Sequence, residues 1–320
     1  MQILAADIGG TNTRLALFEE HGRVLKRKKT FDSRAYKNLL TIVNEFLEGE
    51  QPDIASLGIA GPVEGSVCRA TNLPWVVDSK ELERSIPIGK VHLINDLLAN
   101  AYGVEVLEKE DFAFLQKGIP ERGNRALISP GTGLGEAGIV LVNGAAHPFA
   151  SEGGHADFAP TDPLQEELLA FLRKKFSCHI SYERVLSGPG LAHNYTFLVE
   201  EKGETGEMPP AIAQTNPHEI TKRATQKKCP CCVLALKIFL AIYGAEAGNL
   251  ALKFLALSGI YLGGGIVPHI VPQLREGTFL EHFTNKGRFR RLLEKVPIKV
   301  VLNDQAALLG AFAYAVKNSA

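Results

Sequence analysis

The sequence lacks an excess charge of either sign: 35 Lys and Arg balance 35 Asp and Glu across 320 residues. Without a basic surplus there is no electrostatic footprint for nucleic acid or for an anionic membrane, so neither is expected as a partner. Cysteine is scarce and odd in number, five in all, which excludes a disulfide framework in a chain of this length. No basic stretch precedes the apolar residues 3–6, and Asp7 follows at once, which speaks against a signal peptide. A membrane span needs about 20 mostly apolar residues. The longest candidate, residues 233–257, carries Lys237, Glu246 and Lys253 and is broken by Gly244 and Gly248. It reads as a buried core helix, and the protein as cytoplasmic. Absent too are the GxxxxGK[ST] phosphate loop and the HRD and DFG segments of protein kinases. A nucleotide, if bound, is held by another fold.

What is present is 45% hydrophobic and 22% charged, an ordinary globular composition that excludes disorder and collagen-like structure. The length fits one large or two medium domains of roughly 100–200 residues each. Residues 3–6 and 14–18 read as short strands around Asp7-Ile8-Gly9-Gly10-Thr11-Asn12-Thr13, a turn rich in Gly, Thr and Asn. Strand, glycine turn, strand is a hairpin, unlike the strand–loop–helix of dinucleotide and Walker sites. Residues 57–60 and 91–94 read as buried strands. The second runs into a helix opening at Asn95-Asp96, with Asp96 expected at its cap. Strands alternating with helices indicate an α/β domain.

A second unit begins near residue 110 and repeats the design: a strand at 126–128, the turn Ser129-Pro130-Gly131-Thr132-Gly133-Leu134-Gly135, and a strand at 137–141. Two such hairpins suggest a duplicated domain, with two phosphate-sized turns facing each other across a cleft. Helices are expected at 165–176, 182–186, 190–200 and within 233–257, and a polar surface loop at 202–207. A strand at 258–262 ends in Gly263-Gly264-Gly265, and a strand at 298–302 precedes an Ala-rich helix at 304–316.

Glycine lets backbone approach a phosphate closely, and successive amides in a turn form an anion-binding nest. Thr11 and Thr132 add hydroxyl donors, and Asp7 stands where a carboxylate can hold hydrated magnesium. An ordinary glycine-rich β-turn is the plainer, less favoured alternative for either turn alone. Together with the third glycine cluster, whose Gly264 and Gly265 leave room for a flat ligand such as an adenosine, they favour a nucleotide. Asp96, following an apolar strand, lies at the carboxyl edge of the sheet, where open α/β folds bind ligands. A helix cap is its bland alternative. Asn95, Glu152, His155 and Glu183 complete a set of acceptors and amides of the kind that polyol recognition needs, with a surface loop and a first-turn acid as plainer readings of the last three. Cys229, Cys231 and Cys232 have no second cysteine pair and no thioredoxin-like context, and read as reduced thiols.

Taken in order, Ala6-Asp7-Ile8-Gly9-Gly10-Thr11-Asn12, Gly58-Ile59-Ala60-Gly61-Pro62-Val63, Thr71-Asn72-Leu73-Pro74-Trp75, Ile94-Asn95-Asp96, Gly131-Thr132-Gly133-Leu134-Gly135, Ser151-Glu152-Gly153-Gly154-His155 and Glu183-Arg184-Val185-Leu186-Ser187-Gly188-Pro189-Gly190 resemble the bacterial glucokinases of the hexokinase/actin-like ATPase superfamily. The resemblance spans residues 3–316. Related ROK kinases and repressors share the Asp-x-Gly-Gly-Thr start but usually add a cysteine-rich zinc motif, absent here after His155, and the repressors an N-terminal DNA-binding domain. The chain is similar to the zinc-free branch.

The resemblance implies an α/β fold of the ribonuclease H-like, actin-like ATPase kind, with two domains around a ligand cleft: residues 1–106 plus 298–320, and residues 107–297. It implies Asp96 as catalytic base, with Asn95, Asp96, Glu152, His155 and Glu183 on glucose. ATP is expected against Ala6, Asp7, Ile8, Gly9, Gly10, Thr11 and Asn12, against Gly131, Thr132 and Gly133, and against Gly264 and Gly265. Mg²⁺ would be held mainly by the nucleotide and through water to Asp7, with no protein metal ligand. A homodimer is also implied. Two other classes stay open at this point. Asp96, Glu152 and Glu183 could serve a glycoside hydrolase, which leaves the glycine turns unexplained. A non-catalytic actin-like ATPase would not need the sugar set.

Overall fold

Along the first strand, β1 (Gln2–Ile8), side chains alternate between two cores, as a pleat of period two requires. Leu4, Ala6 and Ile8 pack with Ile42, Val43 and Phe46 of α1 (Leu39–Leu47). Ile3 and Ala5 pack with Leu308, Ala311 and Phe312 of the C-terminal helix, Ala306–Lys317. The structure is a computed structural model and describes residues 1–319 except 20–23, 120, 206–207, 209–212 and 214–215. Gly206 and Glu207 of the expected polar loop therefore lie outside the described residues. The chain divides into two compact units, Met1–Asp111 with Pro148–Ala150 and Asn303–Ala320, and Phe112–His147 with Ser151–Leu302.

In unit 1, β1 and β2 (Asn12–Glu19) form the expected hairpin, with Ile8 opposite Thr13. The strands run further than their apolar residues suggest, so the turn shrinks to Gly9-Gly10-Thr11. β3 (Val24–Asp32) pairs with β2, while β4 (Ile54–Ile59) and β8 (Lys90–Asn95) continue in parallel from β1, giving the order β3-β2-β1-β4-β8. β4 is buried throughout, as a central parallel strand should be. Three short strands, β5 (Val63–Glu64), β6 (Val67–Arg69) and β7 (Val76–Asp78), form a separate sheet. Then α2 (Ser79–Ser85) leads into β8, and α3 (Asp96–Gly103) follows it directly.

Unit 2 holds β9 (Phe112–Gln116), β10 (Arg125–Pro130), β11 (Leu134–Val142), β12 (Ala145–Ser151), β13 (Gly259–Leu262) and β14 (Ile298–Val301), in the order β12-β11-β10-β13-β14-β9. The β10/β11 hairpin is again followed, on the side of its first strand, by two parallel strands. The plan of β1, β2, β4 and β8 thus recurs. Helices α4 (Pro163–Lys175), α5 (Gly188–Glu200), α6 (Pro217–Thr225), α7 (Pro230–Lys253) and α8 (Thr278–Thr284) cover this sheet's core. The expected helix at 182–186 is a single 3₁₀ turn, Tyr182–Arg184.

Among the described residues α7 alone is long and apolar enough to cross a membrane, yet most of it is buried, and Tyr243 donates to Ile128 O of β10 at 3.3 Å. All five cysteines are free. Cys229 caps α7, its Sγ accepting from Cys232 N at 3.2 Å. Burial first, then the neighbouring thiol, pushes Cys231 up to about 12, which makes it unreactive as a thiolate source.

Candidate active site

Parallel strands β1, β4 and β8 end in register, Ile8 opposite Ile59 and Ile59 opposite Asn95. Their carboxyl ends deliver the Gly9-Gly10-Thr11 turn and the Asn95-Asp96 pair to one sheet edge, about 10 Å apart at two strand spacings. The turn is tied down. Gly9 N donates to Asn12 O at 2.9 Å, Ser33 N to Thr11 O at 2.8 Å and Ser33 Oγ to Gly9 O at 2.8 Å. Thr13 Oγ1 then donates to Ser33 Oγ at 2.9 Å. Among the described residues the amides of Gly10 and Thr11 have no protein acceptor, leaving two successive N–H groups for an anion. Ala6 and Ile8 are buried in the core, while Thr11 and Asn12 are exposed.

At β8 the cap expectation is corrected: Asn95, not Asp96, caps α3. Asn95 Oδ1 accepts from Leu97 N at 2.8 Å and Leu98 N at 3.3 Å, and its Nδ2 donates to Gly61 O at 3.3 Å. An amide can accept at the helix start and donate back to a loop, which a carboxylate cannot do. Asp96 is the first helical residue. Its charge and, more strongly, burial push the Cys68 thiol up to about 11. Asp7 Oδ2 accepts from Arg14 at 3.1 Å, and the same guanidinium reaches Asp304 Oδ2 at 3.6 Å. Burial lifts the Asp7 carboxyl above its ordinary value while Arg14 pulls it down.

In unit 2 the β10/β11 turn has the same build. Gly131 N donates to Gly133 O and Gly188 N to Gly131 O, each at 2.8 Å. Among the described residues the amides of Thr132 and Gly133 have no protein acceptor. Glu183 Oε2 accepts from Leu134 N at 3.0 Å, and a Cβ at Gly133 would stand 2.6 Å from that oxygen. Gly264, at φ +90°, lies where a Cβ would overlap Pro130 O, so the third glycine cluster rests on the strand entering this turn. Gly265 faces open space. Glu152 precedes a 3₁₀ turn that His155 ends; their side chains are 66% and 58% exposed, with His155 Nε2 3.9 Å from Glu152 Oε2. Two backbone bonds, Tyr182 N to Ala156 O at 3.0 Å and Phe158 N to Ile180 O at 2.8 Å, hold this loop beside the Glu183 segment.

The structure therefore gathers the expected residues in two sets: the first turn with Asn95 and Asp96 in unit 1, and the second turn with Gly264, Glu152, His155 and Glu183 in unit 2. Sequence reasoning missed Arg14 and Ser33. Arg14 was legible in principle, because the four residues between the paired Ile8 and Thr13 set it opposite Asp7. Ser33 lies 24 residues from Gly9 and has no local signal. Among the described residues no three His, Cys, Asp or Glu side chains converge for a metal ion.

The family model for glucokinase matches residues 4–318. The glucokinase of Nostoc punctiforme is 38% identical over 332 residues, with 97% of each chain covered. A solved glucokinase from an Antarctic psychrotroph superposes with a TM-score of 0.83 at 33% identity, covering 99% of both chains. A ROK-family glucokinase from Streptomyces griseus, solved in complex with glucose and AMPPNP, gives a TM-score of 0.68 at 19% identity over 99% of this chain and 100% of that one, a likeness of fold alone. The α/β fold is that of the actin-like sugar kinases. Matched over nearly its whole length in sequence and in structure, the chain belongs to the glucokinase family.

Proposed function

We propose that the chain works through Asp96 as general base, on glucose held by Asn95, Asp96, Glu152, His155 and Glu183. The reaction is the ATP-dependent phosphorylation of glucose at its 6-hydroxyl, giving glucose 6-phosphate and ADP, the first step of glycolysis. The observation that carries the assignment of Asp96 is the shared edge: a tied-down glycine turn and a carboxylate relieved of capping by Asn95 leave the same ends of parallel strands. Phosphoryl transfer is mainly positioning and charge neutralisation. Asp96 accepts the 6-hydroxyl proton as that oxygen bonds to the γ-phosphorus and the bond to the ADP oxygen breaks. Asn95 has most of its amide committed to the cap and to Gly61, so it offers glucose one remaining N–H.

The Ala6–Asn12 segment and the Gly131, Thr132 and Gly133 turn present paired amides to the phosphates, and Gly264 and Gly265 a flat seat for the adenosine. These residues fit a nucleotide because, among the described residues, the amides without a protein acceptor come in successive pairs, Gly10 with Thr11 and Thr132 with Gly133. Magnesium, when bound, would neutralise phosphate charge; it would be held mainly by the nucleotide, and Asp7, which Arg14 also engages, is the residue that would reach it through water. Glu152 and His155 bind hydroxyls remote from the reacting oxygen and orient the sugar. This reading divides the chain into residues 1–106 with 298–320 and residues 107–297; the C-terminal helix does lie in unit 1, but 298–302, which include β14, belong to the unit 2 sheet, because β14 pairs with β13 and β9. Free, mostly buried thiols support a cytoplasmic enzyme; the homodimer implied by the family resemblance is tested by sedimentation equilibrium. Mixing the protein with Mg-ATP and glucose should yield glucose 6-phosphate and ADP in equal amounts. Phosphate release without sugar phosphate would overturn the reading.

A further inference from the structure

Beneath the Glu152–His155 turn lies a carboxyl group that the reaction does not use. Glu136 on β11 is 1% exposed, and among the described residues neither of its oxygens has a hydrogen-bond partner. A Cβ at Gly153 would overlap Glu136 Oε2, and one at Gly154 would overlap Leu134 O. The turn carrying Glu152 and His155 is therefore seated on two residues of β11. Leu134 also gives its amide to Glu183, so both parts of the unit 2 sugar set bear on one short stretch of strand.

We propose that Glu136 is a positioning residue: its buried carboxyl group is the floor under the Gly153-Gly154 turn and sets where Glu152 and His155 stand. The inference rests on the reading of Glu152 and His155 as glucose ligands.

The groups around Glu136 decide its charge. From α7 come Glu246, which is fully buried, and Lys253. Lys253 Nζ donates to Glu246 Oε1 at 3.3 Å, and Asn249 Nδ2 to Glu246 Oε2 at 2.7 Å. Lys286, just beyond α8, donates to Asn249 Oδ1 at 2.6 Å. Tyr182, beside Glu183, accepts from Asn249 at 3.2 Å and is hydrogen-bonded to Glu246. Ser151 Oγ, on the loop side, is engaged by Gly153 N at 2.9 Å. Both lysines thus serve the Glu246 side of the network. Glu136 is left with burial and, second, the Glu246 carboxylate, which push it up to about 8 against a weak pull from Lys253. The neutral acid is the form that suits this place; ionisation would set a desolvated charge against Glu246 directly under Gly153. Lifting the turn to admit water would relieve it, and would displace Glu152 and His155.

Glucose KM should therefore rise about tenfold between about pH 7 and about pH 9, because one unit above a value of about 8 leaves only about a tenth of the molecules protonated. KM for Mg-ATP should stay level. Glu136→Gln keeps the shape and cannot ionise, so its glucose KM should stay level over the same range. An equal rise in the variant, or a level glucose KM in the unaltered enzyme, would overturn the proposal. A second arm does not depend on that variant folding: Gly153→Ala should weaken glucose binding, and adding Glu136→Ala, which removes the obstructing oxygen, should recover most of the loss. No recovery would also overturn it. Unchanged glucose affinity in Glu152→Ala and His155→Ala would sink the sugar assignment and this inference together. Lost affinity there without any dependence on Glu136 would sink the inference alone.

Discussion

Asn95 and Asp96 are neighbours that divide two tasks at the start of α3. Asn95 closes the helix end and ties it to Gly61, and Asp96, the first helical residue, is the one proposed above as general base. Asp96→Asn should lower kcat by about 10²–10⁴, the usual loss of a general base, while the melting temperature and glucose affinity change little. Near-normal kcat in that variant would remove Asp96 from the mechanism. Asn95→Ala should do the reverse in kind: two amides lose their acceptor, and about 1 kcal/mol of stability goes with them, measurable by denaturant titration. The sequence placed the cap one residue late because Asn and Asp are equally good caps and a helix start is uncertain by a residue. What settles it is the carbonyl of Gly61, 34 residues away, and no local pattern reports that. Glu152, His155 and Glu183 were legible as a polar set, whereas the floor beneath them, Glu136, was hidden inside an apolar strand.

At the scale of elements the two hairpins were the most legible feature, since their turns are short, local and rich in glycine. Their shared topology, a hairpin followed by two parallel strands, follows from long-range pairing that only the structure displays. β3 went unread because Lys26, Arg27, Lys28 and Lys29 break any apolar alternation. It is an edge strand carrying ion pairs from Lys26 to Glu19, Arg27 to Glu48 and Lys29 to Glu45. β5, β6 and β7 are only two or three residues long, shorter than any periodicity can show. The first hairpin's turn depends on Ser33, whose hydroxyl and amide hold Gly9 O and Thr11 O. Ser33→Ala should raise KM for Mg-ATP about threefold to tenfold, as about 1 kcal/mol of positioning is lost, and leave glucose KM unchanged. The Glu152–His155 loop should respond in mirror image. Replacing either side chain by Ala should weaken glucose by about 1–3 kcal/mol and leave Mg-ATP alone, as calorimetric titration of each ligand would reveal.

A whole molecule with no net charge takes its pH dependence from the groups it buries rather than from overall repulsion. Burial raises the carboxyls of Asp7 and Glu136 and, as the leading cause in both, lowers the imidazoles of His92 and His193. A raised carboxyl means that the folded state holds more protons than the unfolded one. Glu136 therefore contributes stability that is full below its ordinary value of 4.5 and lost as pH rises through about 8. A lowered imidazole means the opposite. His92 and His193 contribute stability that is full above 6.5 and lost as pH falls below it. From 6.5 to about 8 the imidazole contribution is already complete while Glu136 is still losing its own, so stability must fall with pH. At about 1.4 kcal/mol per unit, the fall across that window amounts to about 1–2 kcal/mol, or a few degrees in melting temperature. Glu136→Gln, having no proton to lose, should flatten most of the slope above 6.5 and steepen the decline from 6.5 down to 4.5, where the glutamate's regained stability no longer offsets the imidazoles' loss. A melting temperature that rises from 6.5 to 8 in the unaltered protein would mean that Glu136 is ionised in the fold, with water admitted beneath the Gly153-Gly154 turn.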